Sequence, residues 1–159
     1  MKKIIFWIPL LILPLSILAQ NLKPSDFHGS MRLEDNKIID FTSLNNPSDG
    51  TNIAFYTQKP DREQYLKQEG RRLLSFSKIE RIEVLPLTVE DAAELRSICG
   101  SEILQKATLK LKASDMNIPE VIYLDFKWFE WRSTVMQGFP NTYRMEARFL
   151  DNIEIQENK

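Results

Sequence analysis

The sequence predicts a mostly β, β-rich α+β fold: two similar antiparallel β-units, closed as small barrels or merged into one combined sheet, linked by one short helix. Three observations carry this. Apolar and polar residues alternate with period two over most of the chain, and a single well-capped segment shows a helical period instead. The stretches on either side of that segment also resemble each other in pattern and in order.

The chain opens with Lys2 and Lys3, an apolar run from Ile4 to Leu15, and Ser16-Ile17-Leu18-Ala19 before a polar Gln20. This charged, apolar and small-residue order is that of a secretory signal peptide over residues 1–19, cut after Ala19. The rival reading is a retained membrane anchor, which needs about 20 apolar residues; this run is shorter and is interrupted by Pro9 and Pro14. The expected address is therefore the periplasm or the extracellular space, with no membrane span after cleavage. The sole cysteine, Cys99, is far from the junction, which leaves no thiol there to carry a lipid.

Without the leader, 140 residues remain, with 19 basic against 22 acidic side chains and a net charge of −3. That length buries a core without disulfide staples, and the mixed, near-neutral charge argues against nucleic acid as a partner. One cysteine cannot form an internal disulfide, so Cys99 is a packing residue or a free thiol.

Residues 20–29 are polar, carry Pro24 and read as a flexible lead-in. The first unit spans 30–87. Met31 to Leu44 is strand material split at Glu34-Asp35-Asn36-Lys37, and Asn45 to Gly50 is a loop of turn-forming residues. Ile53 to Tyr56 and Leu73 to Val84 are further strands, and between them Pro60 to Gly70 is a short helix or a hairpin arm. The linking helix occupies 88–100. Thr88 caps it, Asp91 completes a capping-box-like pair, Gly100 stops it, and Ala92, Leu95, Ile98 and Cys99 form its apolar stripe. The second unit spans 101–159, with strands at Ile103 to Lys112, Val121 to Trp128, Phe129 to Met136 and Tyr143 to Ile155, and turns at Ser114 to Pro119 and Gln137 to Asn141.

Lys78-Ile79-Glu80-Arg81-Ile82-Glu83-Val84 aligns without gaps on Phe149-Leu150-Asp151-Asn152-Ile153-Glu154-Ile155 and agrees in character at five of seven positions. Met31 to Glu34 matches Leu109 to Lys112, and Ile38 to Phe41 matches Val121 to Leu124, in the same order. Two copies of one β-unit explain this; the competing explanation is that any alternating strands look alike. Each unit resembles small SH3-like or Sm-like barrels, in which a strand pair is followed by a closing strand. The glycines such barrels place at their bends are absent, and no functional residue is carried across.

Catalytic chemistry has little to stand on. His28 is the only histidine, no G-x-S-x-G or phosphate-binding glycine loop is present, and Glu80, Glu83, Asp151 and Glu154 alternate with apolar residues as a solvated strand face does. No catalytic, cofactor-binding or metal-binding residue is assigned, and a small hydrolytic enzyme is the weakest reading. The unusual segment runs from Tyr123 to Arg132 and holds both tryptophans that follow the leader, Trp128 and Trp131. Ile122, Leu124, Phe126 and Trp128 share one strand face, whereas Phe129 and Trp131 fall on the other. Either a bulge returns all of them to the core, or Tyr123, Lys127, Phe129, Glu130, Trp131 and Arg132 form an exposed contact surface. The function expected is a non-enzymatic module that binds a protein partner, such as an envelope protein, or serves as an envelope component, with a glycan stacked on Trp128 or Trp131 as the alternative. N-terminal sequencing of the exported protein should begin at or close to Gln20; intact Met1 in a membrane fraction would contradict the leader.

Overall fold

The two strands with the strongest apolar pattern share a break in parity. In Ile79-Glu80-Arg81-Ile82-Glu83-Val84 the buried residues are Ile79, Ile82 and Val84, and in the matching segment they include Leu150, Ile153 and Ile155. Residues three apart cannot face one side of a regular strand. A β-bulge must separate them, and one does: the register skips Glu80 in the first segment and Asp151 in the second.

The structure, a computed structural model, describes residues 21–100, 104–113, 117–125, 128–133 and 142–158. The leader at 1–19, Lys127, the strand start at Ile103 and the turn at Gln137 to Asn141 lie outside them. Strands β1 (Phe27–Leu33), β2 (Ile38–Phe41), β3 (Ser43–Asn45) and β4 (Asn52–Tyr56) are followed by α1 (Arg62–Lys67), β5 (Arg72–Ser75) and β6 (Ile79–Val84). Then come α2 (Val89–Cys99), β7 (Gln105–Leu111), β8 (Ile122–Leu124), β9 (Trp128–Arg132), β10 (Tyr143–Glu146) and β11 (Leu150–Glu157). One antiparallel sheet of eight strands has the order β2-β1-β11-β6-β7-β8-β4-β5, and a second of three has the order β10-β9-β3. The merged sheet, and not a pair of closed barrels, is the architecture adopted. No helix among the described residues is long and apolar enough to cross a membrane.

Only Thr42 separates β2 from β3, and its amide donates to the Arg132 carbonyl at 2.8 Å, so the two act as one bent strand that passes from one sheet to the other. Counted so, the strand order reads alike from both ends, with β11 and β6 at the centre. The registers follow the same relation. Ile82 pairs with Ile153, flanked by Arg81 opposite Glu154 and Glu83 opposite Asn152. Met31 pairs with Ile153 as Leu109 pairs with Ile82, and Trp131 pairs with Leu44 as Phe55 pairs with Leu124. Short 3-10 turns at Phe76–Lys78 and Ala147–Phe149 precede β6 and β11 alike. One part of the sequence alignment shifts. Gly29 faces Phe41 and Ala107 faces Ile122, so Phe41 corresponds to Ile122 rather than to Leu124.

The main core lies on one face of the strands and includes Phe27, Phe76 and Phe129, with ring centroids 5.6 Å apart for the first pair and 6.4 Å for the second. Burying such a ring contributes about 1.5–3 kcal/mol. Phe27 is fully buried and β1 begins there, so the strand starts inside the segment expected as a flexible lead-in. The other sheet face carries a smaller cluster of Tyr56, Leu95 and Leu104 beneath α1 and α2. Thr88 caps α2 by accepting the Asp91 amide at 3.0 Å, and Gly100 ends it at a φ of 71°. The ambiguous segment is α1, begun by a reciprocal Asp61–Gln64 cap and ended at Gln68, whose φ is 57°.

Gly29 is where the sheet is tightest. A Cβ there would lie 1.9 Å from the Glu154 carbonyl oxygen and 3.0 Å from the Phe41 ring. The Gly29→Ala variant should therefore lose at least about 1–3 kcal/mol, visible as a lower Tm; an unchanged Tm would show that β1 and β11 separate more freely than this packing allows.

Candidate functional site

The aromatic segment divides between core and surface. Leu124 and Phe129 are both buried although five residues apart, so strand parity flips between them. Phe129 is 0% and Trp131 6% exposed, and the Trp131 indole stacks on Tyr143 with centroids 4.6 Å apart. The physical reason is the face: Phe129 and Trp131 share the side of β9 that turns to the core, with β10 and β3 on either edge of the strand. Phe129 and Trp131 are thus corrected from contact surface to core, and Trp131 offers no open face for a sugar to stack on. Tyr123 is half-buried against the α1–α2 cluster, and Trp128, 36% exposed, shares the outward face of β9 with Glu130 and Arg132. Lys127 is outside the described residues. Trp131→Ala should cost about 3–5 kcal/mol as a cavity variant, read as a large fall in Tm.

The strongest ionic cluster was not visible as a motif. Arg71 donates to Asp49 through both terminal nitrogens, at 3.2 and 2.6 Å, and to Asp125 through Nε at 2.6 Å. These side chains are only 11–18% exposed. The cluster ties the loop before β4 to the turn before β5 and the end of β8. Its hydrogen bonds to Asp49, opposed by burial and helped by Asp125, hold the Arg71 guanidinium charged above its ordinary range. The nearby Tyr56 hydroxyl is buried without a partner among the described residues, and burial, then Asp125, raise its pKa against the effect of Arg71. Three of the five guanidinium N–H donors bond the two carboxylates, so the group acts as a clamp between loops. Removing the cation strands two partly buried carboxylates, so Arg71→Met should destabilise by roughly 2–4 kcal/mol, measured by denaturant unfolding.

Other titratable groups are engaged or outward. Glu80 pairs with Lys110 at 2.6 Å, and Glu83 and Glu154 are exposed. His28 lies within β1 rather than in a loose lead-in, its Nε2 3.0 Å from Gln156 Oε1. The half-buried Cys99 thiol donates to the Leu95 carbonyl at 3.0 Å. Among the described residues no group of three or more His, Cys, Asp or Glu side chains is placed to hold a metal ion.

Two clefts remain. The larger, of about 680 Å³, opens where β6 runs into α2 and β1 turns into β2. Its walls are apolar at Leu33, Leu85, Leu87 and Leu150, its rim is acidic at Glu34 and Asp151, and Phe149 stands there 46% exposed. The Arg148 guanidinium lies 4.6 Å over the Phe149 ring and also pairs with Glu146. The smaller cleft, of about 430 Å³, lies against β3 and β9 and is lined by Ser43, Asn45, Glu130, Trp131, Arg132 and Thr142, with residues 23–25 at its side. It collects the outward members of the segment singled out in sequence. The larger one was missed, although a signal existed: in the gapless alignment Phe149 stands opposite Lys78, an aromatic where the partner segment has a charge.

No protein-family model matches this chain, and no curated protein or solved structure matches it either.

Proposed function

We propose that this chain is an exported, non-enzymatic protein-binding module, periplasmic or extracellular, built from two copies of one β-unit. The export reading rests on the order of residues 1–20. The two-copy reading draws support from registers: matched bulges at Glu80 and Asp151, and the self-consistent pairing about Ile82 and Ile153, are more than period-two patterning alone requires.

The binding reading rests on one observation, the half-exposed Phe149 at the rim of the larger cleft. A large ring left in water beside an apolar wall of leucines is the composition of a contact surface, because it places removable apolar area within a polar rim. The acidic rim at Glu34 and Asp151 suits a partner segment that carries an aliphatic or aromatic anchor next to a basic residue. Phe149→Ala should weaken such binding by about 2 kcal/mol, some 30-fold in Kd, with little change in Tm since the ring is half in water. A photoreactive residue at Leu87 in the exported protein should crosslink to a partner segment of that composition, and the crosslink should disappear in Phe149→Asp. Crosslinking that survives this substitution, or that occurs equally from the exposed Leu73 on the edge strand β5, would overturn the assignment.

A further inference from the structure

The two ends of the strand order can be compared position by position, and the comparison isolates the smaller cleft. By register, Asn45 on β3 takes the place of Asp125 after β8, Arg132 on β9 that of Tyr56 on β4, and Thr142 before β10 that of Arg71 before β5. In the first half this place is filled from within the chain. Arg71 and Asp125 pair at 2.6 Å, and Tyr56 is packed beside Tyr65 and Leu95 beneath the two helices. In the second half the same place is a cleft bordered by residues 23–25, whose short 3-10 turn begins at Pro24.

Its chemistry is inverted as well. The carboxylate position holds an amide, Asn45, while a guanidinium, Arg132, stands where the first half has a phenol. The side chains of Arg132, Ser43 and Thr142 donate to no partner among the described residues, and Lys23 adds a second cation at the edge. The one lining carboxylate, Glu130, is already engaged: it accepts from Asn45 Nδ2 at 3.1 Å and from Arg144 Nε at 2.6 Å, and these bonds, against the effect of burial, hold its carboxyl below the usual carboxylate range. What remains free is therefore a set of donors, two of them charged, around a hollow whose internal counterpart contains a carboxylate.

We propose that this cleft binds a small carboxylate-bearing sugar, a uronic acid, whose carboxylate meets Arg132 and Lys23 and whose hydroxyls bond Ser43, Thr142 and the rim amide. Charge-assisted bonds from a guanidinium to a carboxylate supply the affinity, and the roughly 300–1,000 Å³ range of small-ligand sites includes a cleft of about 430 Å³. The ring is not stacked, because Tyr143 already covers the Trp131 indole. This site does not depend on the larger cleft, and its test uses a different readout.

The experiment is a titration of the intact mature chain with glucuronate, glucose and acetate, followed through the ¹⁵N–¹H resonance of the Trp131 indole in the cleft wall, assigned with Trp131→Phe. Glucuronate should move the resonance saturably, glucose should not, and acetate should act only at far higher concentration. Arg132→Gln, at an exposed position that leaves the fold intact, should weaken glucuronate about tenfold or more, and raised salt should weaken it further. A resonance unmoved by glucuronate, an equal response to glucose or to acetate, or an affinity unchanged in a folded Arg132→Gln variant would each overturn the proposal.

Discussion

Everything in this fold depends on the pairing of β6 with β11 at Ile82 and Ile153. These two strands are each the closing strand of their half, and each also pairs with the opening strand of the other half, β11 with β1 and β6 with β7. Neither half keeps its closing strand to itself, so the core forms only when chain segments more than 100 residues apart have met. The bulges at Glu80 and Asp151 are part of the same constraint. They turn Ile79 and Leu150 back to the buried side at the points where β6 and β11 enter the sheet, next to the 3-10 turns that precede them.

The strand framework is alike at both ends, yet the layers laid on it differ, and the difference sorts structural from ligand-accessible surface. Over β4, β8 and β7 the outer face is closed by α1 and α2, with Leu95 against Tyr56 and Leu104. Leaving a polar group unpaired beneath such a cover costs about 1–3 kcal/mol, as at the Tyr56 hydroxyl, which has no partner among the described residues. Arg71, Asp49 and Asp125 satisfy one another there. At the other end a cleft lies against β3 and β9, and Arg132 has no side-chain partner among the described residues. One topology thereby yields an internal ion cluster on one side and a donor-rich cleft on the other.

The aromatic residues show why composition alone misleads about contact surfaces. Trp131 and Phe129 belong to a central strand and are consumed by packing, Trp131 by its stacking on Tyr143 and Phe129 by Phe76. Phe149 sits in a 3-10 turn next to the cleft where β6 leaves the sheet and is 46% exposed. Exposure of an aromatic ring was thus decided by the face and place it takes in the fold, Trp128 on the outward face of the same strand being 36% exposed, and not by the density of aromatics in the sequence.

Local and repeating features were legible from the sequence itself: the strand-rich class, the Thr88 to Gly100 helix with its caps, the outward polarity of Glu80, Glu83 and Glu154, and the likeness of the segments ending in Val84 and Ile155. Each of these is set by neighbours within a few residues, where alternation, capping and glycine conformation act. Of the candidate site, the outward side of Trp128, Glu130 and Arg132 follows from their period-two positions on one strand once Phe129 is buried. The tertiary structure alone decided the exchange of closing strands, the burial of Trp131, the clamp joining Arg71 to Asp49 and to Asp125, 22 and 54 residues away, and the clefts. Those depend on which strands become neighbours, and backbone hydrogen bonding lets any strand pair with any other, so the choice falls to the packing of the whole core.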